Sequence, residues 1–408
     1  MVYKIMQLRG YKMIMSIARR FALISALGLF LGGSVAANEQ GVTSNEIIVG
    51  ALGPLTGATA FMGAPGRDGI QLAVENINAA GGINGRKLKL VFEHAFTPAE
   101  SVSAAKKLVE QDKVFVLLLA SGSTGAAAAA DYVRSVGVPT FNMFGTTSII
   151  REPFAGNVFH GQVTDGPAQA KKFVQRIRTK ADAGSKVGVL VGTYAFPQST
   201  LKYLEPELKA AGLVPVVEQF DQGSRDFTAQ LVSFVRQRVK AIAVLGSFSE
   251  AGFAIKQAPE KGLVDVTWVL DGSGVNDAMI PIIGSENTRN VIGFSNFPYF
   301  HAQADEPIKL FREMWAKRYG SPPPGRPNMY DTVSYGDTYI VAAAIKAAGS
   351  DLSWKTLIVA WNGLKDARPS QLGGVDVIFP ESFTPRDHQG NKEMGDAVIK
   401  DGIWQVVR

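Results

Sequence analysis

Between an apolar run and an alanine-rich segment the chain reads "LLLASGSTGAAAAADY", residues 117–132. Three hydroxyls, Ser121, Ser123 and Thr124, crowd around Gly122 at what the pattern predicts to be a strand-to-helix junction. Such a junction leaves backbone N–H groups free, and the positive end of the helix favours an anion. A carboxylate held there gains about 1.5–3 kcal/mol per charge-assisted bond. The same residues also suit an ordinary helix start, because Ser and Thr are good N-caps. The loop by itself leaves both readings open.

Other chemistry finds little support. The chain has no cysteine, which excludes disulfides, zinc–thiolate sites, thiol nucleophiles and lipid attachment at a cysteine. Its four histidines, His94, His160, His301 and His388, are scattered without metal-ligand spacing and read as surface or packed residues. There is no G-x-x-x-x-G-K-[ST] and no G-x-G-x-x-G at a first strand–helix turn, so nucleotide binding lacks a motif. Ser121 and Ser123 do not sit in G-x-S-x-G, and sequence order suggests no Ser-His-Asp set. No catalytic residue, cofactor or metal is expected, and the chain leans toward binding.

The elements that must position the loop are those of an α/β protein. Its 408 residues, 46% hydrophobic and 19% charged, suffice for two globular domains. "IIVGAL" (47–52) predicts a buried strand, and "RDGIQLAVENINAAGG" (67–82) a helix ending at a glycine pair. "KLKLVFEHA", "VFVLLLA" and "VPTFNMF" continue the strands, with helices "ESVSAAKKLVEQ" and "GAAAAADYVRSVG" between them. A second series places strands at "KVGVLVG", "LVPVVEQF", "AIAVLGS" and "VTWVLDG", separated by helices, one of which Pro206 could kink. After it come "VIGFSNF", the helices "EPIKLFREMWAKRYG" and "YDTVSYGDTYIVAAAIKAAG", a stiff connector "GSPPPGRP" and a C-terminal hairpin "DAVIKDGIWQVV". Strands alternating with helices imply parallel sheets covered on both faces, and two series imply two lobes. Ligands bind at the carboxyl ends of such strands, so two facing lobes make a cleft.

Residues 1–20 carry Lys4, Arg9, Lys12, Arg19 and Arg20 and no acid, and "FALISALGLFLGGSVAA" follows. This reads as a secretory signal peptide over 1–37, cleaved near Ala36 or Ala37, with translation starting at Met1, Met13 or Met15. The apolar run is short for a membrane anchor. The whole chain is +6, and removing those five cations leaves about +1. No basic footprint for nucleic acid remains.

The stretches "IIVGALGPLTGATAFMGAPGRDGIQLAVENINAAGGINGRKLKLVFE" (47–93), "AAKKLVEQDKV", "SGST" and "YDTVSYGDTYIVAAAIKAAG" carry a resemblance. Over about residues 43–408 the chain resembles the periplasmic solute-binding proteins of branched-chain amino acid ABC transporters, the leucine/isoleucine/valine-binding type. The resemblance implies two Rossmann-like lobes with parallel sheets, the type I periplasmic binding fold, joined by three crossovers. It implies lobe 1 at 43–162 and 297–372 and lobe 2 at 163–296 and 373–408.

The resemblance also implies site residues. The hydroxyl that holds the ligand carboxylate falls on Ser121, and a second carboxylate turn on "MFGTT", with the Phe144 backbone and the Thr146 side chain. The first-loop contact to the ligand body falls on Met62, with Phe61 beside it; second-lobe aromatics fall near Phe196 and Phe248. The acid that pairs with a ligand ammonium falls at or near Ser273, where no acid stands; Asp271 supplies it, faces elsewhere, or caps a turn. Phe in place of Tyr at 196 and 248 makes the cleft more apolar, unless these rings serve core packing. The departures shift weight toward carboxylates without an amine, such as small aromatic acids. The family's disulfide positions fall on Phe96 and Ala120, so packing must hold that loop.

The expectation is a monomeric periplasmic receptor that binds a small carboxylate and delivers it to the permease and ATPase subunits of an ABC importer. A hydrophobic or branched-chain amino acid and a small aromatic acid are both open as ligands. A sensory receptor of the same fold and a secreted two-domain hydrolase are the competing classes.

Overall fold

A computed structural model describes residues 39–299, 304–323 and 325–407. The expected signal segment and His301 lie outside the described residues.

The first sheet is built from β1 (Glu46–Gly53), β2 (Lys87–His94), β3 (Val116–Leu119), β4 (Thr140–Asn142) and β5 (Val158–His160). Its order is β2-β1-β3-β4-β5, and every pairing is parallel. The helices of this half are α1 (Ala60–Ala79), α2 (Pro98–Lys106), α3 (Gly122–Val136) and the single turn α4 (Ser148–Arg151). The chain then enters α5 (Gly166–Arg178) and a second sheet. Here β6 (Lys186–Gly192), α6 (Ala195–Ala210), β7 (Val214–Phe220), α7 (Thr228–Gln237), β8 (Ala241–Leu245), α8 (Phe248–Gln257) and β9 (Thr267–Leu270) follow in turn. A short α9 (Ile280–Ile283) precedes β10 (Val291–Ser295). The chain returns to the first half through α10 (Glu306–Tyr319), α11 (Met329–Ala347) and α12 (Trp354–Asn362), and ends in the hairpin β11 (Gly395–Lys400) and β12 (Ile403–Val407). The second sheet runs β12-β11-β10-β9-β8-β6-β7, with only the hairpin antiparallel.

Period-two alternation shows why these runs are strands. Val116 and Leu118 pack with Tyr335 and Ile340 on one face of the first sheet, while Leu117 and Leu119 pack with Ala126 and Val133 on the other. In β8, Ile242 and Val244 face one cluster and Ala241, Ala243 and Leu245 the opposite one. Strands buried on both faces need apolar residues at every position, which the sequence supplies.

Some expectations are corrected. Helix α1 begins at Ala60, seven residues before the predicted start, because its first turns are rich in Gly and Pro. Gly69 lets α1 lie on α11: a Cβ there would stand 2.2 Å from the Asp331 carbonyl oxygen. Pro65 offers no N–H to the Phe61 carbonyl, which instead accepts from Asn328 Nδ2 at 3.3 Å. Helix α6 begins four residues before the predicted stretch, and it runs through Pro206. Strand β5 and helix α12 carry too few periodic residues to be read in advance. The largest correction concerns residues 373–394, expected in lobe 2. Val377, Ile378 and Phe383 pack into the first core beside Phe141 and Trp361, and the chain joins the second sheet only at β11.

Three crossings join the halves, near 161–165, after β10 at 295–299, and near 389–394, and they are tied together. Asn391 Nδ2 donates to the Gln162 carbonyl at 2.8 Å and to the Asn296 carbonyl at 3.4 Å. Gln162 Nε2 donates to Glu381 Oε1 at 2.6 Å. Arg326, in the predicted connector, is anchored by Asp331 and Asp68 and so fixes the start of α11.

Candidate functional site

The carboxyl ends of the two sheets face each other across a cavity of about 460 Å³. The first half contributes the β1–α1 loop, the start of α2, the β3–α3 and β4–α4 loops and the start of α11. The second contributes the loops after β6, β7, β8 and β9.

Ser121 occupies the N-cap position of α3, yet its side chain makes no capping bond. Its Oγ is buried with no hydrogen-bond partner among the described residues, so the ordinary capped-helix reading does not account for it. Gly122 follows with φ +66°, and a Cβ there would stand 2.9 Å from Met62 Cε. Only glycine turns the chain this way with Met62 so close. Ser123 Oγ accepts from the Thr146 N–H at 3.0 Å and lies 3.2 Å from Thr146 Oγ1, which welds the β3 and β4 loops into one floor. Thr124 lines the cavity as an exposed residue. Aromatic rings cover this floor: Phe144 meets Tyr330 at 5.0 Å and Tyr330 meets Phe61 at 5.8 Å.

The second half brings charge. Asp271 is 2% exposed and lines the cavity. Its Oδ1 accepts from the N–H groups of Ser273 (3.0 Å) and Gly274 (3.2 Å). It therefore caps its turn and also lines the cavity. Burial pushes its carboxyl up to about 7, against the opposing pull of the Gly274 and Ser273 N–H groups. Glu250, equally buried, is saturated: it accepts from Tyr194 OH (2.7 Å), the Gly223 N–H (2.7 Å) and the Ser247 N–H (2.8 Å). Burial, then the Glu250 charge, holds the Tyr194 phenol well above its usual range.

Of the residues singled out from sequence, Phe61, Met62, Ser121, Ser123, Thr124, Phe144, Thr146, Phe196, Asp271 and Ser273 all line this cavity. Phe248 does not; its ring packs edge-on against Phe61 at 5.5 Å, bridging the two halves beside the cavity. Two further contacts cross the cleft, Ser148 N–H to Ser199 Oγ (3.1 Å) and Tyr203 OH to Glu152 Oε1 (3.3 Å). Phe96 is 43% exposed and packs over Gly57 at the rim, whereas Ala120 is fully buried.

Sequence reasoning missed Tyr194, Arg225, Glu250, Phe253 and Tyr330, all of which line the cavity. Glu250 had a readable signal: "SFSE" is a capping box directly after a strand, which places its acid at the sheet's carboxyl end. The three described histidines make packing and hydrogen-bond contacts within the fold. His160 Nδ1 meets Asn142 Nδ2 at 3.1 Å, His388 stacks on Phe159, and His94 Nδ1 accepts from the Leu55 N–H.

A two-lobed cleft with ligand-sized volume at opposed strand ends defines a solute receptor of the type I periplasmic binding fold. Residues 46–402 match the family described as periplasmic binding protein. The chain belongs to that family. It is 27% identical over 332 residues to Leu/Ile/Val-binding protein homolog 7 of Brucella abortus, covering 78% of this chain and 82% of that protein. A branched-chain amino acid ABC transporter structure from Thermus thermophilus with bound valine superposes with TM-score 0.78 at 20% identity, over 90% of this chain and 96% of that one. A solute-binding protein of an ABC transporter from Rhodopseudomonas palustris, in complex with 3,4-dihydroxybenzoic acid, gives 0.73 at 22% identity, over 88% and 96%. The family is one of substrate-binding proteins, and membership implies a periplasmic location.

Proposed function

We propose that this chain, after removal of residues 1–37, is the periplasmic receptor of an ABC importer. It binds a small carboxylate and presents it to permease and ATPase subunits. The observation that carries the reading is the buried, unpartnered Ser121 hydroxyl at the start of α3, next to the Ser123–Thr146 floor. A buried hydroxyl without a partner is costly unless a ligand supplies one. A ligand carboxylate takes the Ser121 Oγ–H and free N–H groups, Thr146 stands beside it, and Met62, Phe144, Phe196 and Tyr330 enclose the body. Closure of the lobes follows from the ligand's preference for the closed state.

The apolar walls favour an aromatic or hydrophobic acid. Asp271 supports a second reading, an amino acid, because its carboxylate is placed to receive an ammonium. The two readings differ in pH dependence. An amine-free acid loses affinity as pH rises from 6 to 8 and Asp271 becomes charged; leucine or valine gains. Calorimetry of the mature protein with benzoate, 4-hydroxybenzoate, leucine and valine at both pH values decides between them. Strong leucine binding with no benzoate binding removes the aromatic reading, and benzoate binding with no leucine or valine binding removes the amino-acid reading.

A further inference from the structure

The cavity is longer than one carboxylate and one ring require, and its outer end carries a cation. We infer that the mouth is a second anion subsite built on Arg225, and that the ligand is an elongated acid with two acidic ends. This rests on the Ser121–Thr146 floor being the first carboxylate site.

Sheet order sets the geometry. Ser121 and Thr146 follow β3 and β4, the inner strands of the first sheet, and Asp271 follows β9. Arg225 follows β7, the far edge of the second sheet, and the facing loop with Phe96 and Thr97 follows β2, the far edge of the first. β3 and β2 are two strand steps apart, and β9 and β7 three, so at about 4.8 Å per step the mouth lies roughly 10–14 Å from the inner end.

Arg225 is held for use there. Its carbonyl accepts from Gln257 Nε2 at 2.7 Å, and Gln257 Oε1 in turn accepts from the Phe227 N–H, so the backbone is pinned. The guanidinium lies over the Phe253 ring, 5.4 Å from its centroid, and both residues line the cavity. The Phe253 ring accepts none of the guanidinium's N–H donors, which leaves them for a planar, bidentate acceptor such as carboxylate. Among the described residues no acid pairs with Arg225. The acids around the mouth are engaged elsewhere. Asp226 accepts from the Thr228 N–H, Asp221 from Thr193 Oγ1, Glu250 from three donors, and Glu100 from the N–H groups of Phe96 and Thr97. A cavity of about 460 Å³ holds a ligand of this length.

The test uses matched pairs in calorimetry with the mature protein: suberate against octanoate, and terephthalate against 4-methylbenzoate. At least one diacid is expected to bind roughly tenfold more tightly than its partner, an exposed bidentate pair being weaker than a buried one. Arg225→Gln, at an exposed position where folding is not at risk, is expected to erase that advantage, and Ser121→Ala to weaken both members of a pair. Monoacids that bind as well as diacids overturn the mouth subsite alone. So does a diacid advantage that survives Arg225→Gln. Failure of all four acids to bind overturns the inner carboxylate site, and this inference falls with it.

Discussion

The two walls of the cavity are built on the same βα plan but solve different problems. The first-half wall carries no charged side chain: it is Ser121, Gly122, Ser123, Thr146 and a run of rings, held by close backbone approach and hydroxyl bonds. The second-half wall carries Asp271, Glu250 and Arg225, and its shape depends on Glu250 gathering three donors from three different loops. Small residues allow a tight, neutral floor in which the Ser121 hydroxyl has no partner among the described residues. Charged residues make a wall that is already largely satisfied, with Glu250 holding three donors.

The sharpest way to break this contrast is Glu250→Ala. It leaves Tyr194 OH and two N–H groups without their acceptor, and unfolding free energy is expected to fall by about 3 kcal/mol or more. Denaturant melts measure it; an unchanged midpoint would show that the second wall does not depend on this acid. On the other wall, Gly63→Ala places a Cβ 2.2 Å from the Pro54 carbonyl oxygen and 2.5 Å from its nitrogen. The backbone must shift, and a loss of about 2 kcal/mol in the same melts is expected. Ser121→Ala acts differently: binding of a carboxylate is expected to weaken about tenfold in calorimetry, while stability holds or rises slightly, since the hydroxyl has no partner to lose.

The last test is in pH. The Asp271 carboxyl is raised from 3.8 to about 7, so the folded chain keeps a proton there that the unfolded chain releases. Its contribution to stability is present in full below pH 4 and is lost as pH rises from about 4 to 7. Asp271→Asn should flatten that part of the profile. A second buried acid site lies behind the hinge, where Asp337 and Glu381 are fully buried side by side. Burial, and for Asp337 also the neighbouring Glu381, raises both carboxyls. Their stabilising protonation is likewise lost on the alkaline side, and Asp337→Asn should blunt that loss in thermal melts across the same pH series.

The first wall was legible because its features are local. The strand, the Ser-Gly-Ser turn and the alanine-rich helix stand next to one another in the chain, and small residues at a strand end have few other uses. The second wall was not. Tyr194, Arg225 and Glu250 are separated by dozens of residues, and each reads alone as an ordinary aromatic, a surface cation and a helix cap. Phe248 shows the same limit from the other side: its place after the strand AIAVLGS was readable, but whether its ring enters the cavity or meets Phe61 depends on how the halves approach.

The sequence by itself determined the alternation of elements, the two parallel sheets and the loop on which the inner floor is built, because periodicity and turn chemistry act over a few residues. Tertiary structure alone decided that residues 375–383 pack with the first core, that Glu250 is spent on its own wall, and that Asp271 and Arg225 line one cavity. Those outcomes depend on which strand ends are brought face to face, and burial and charge pairing across such distances exist only once the sheets have formed.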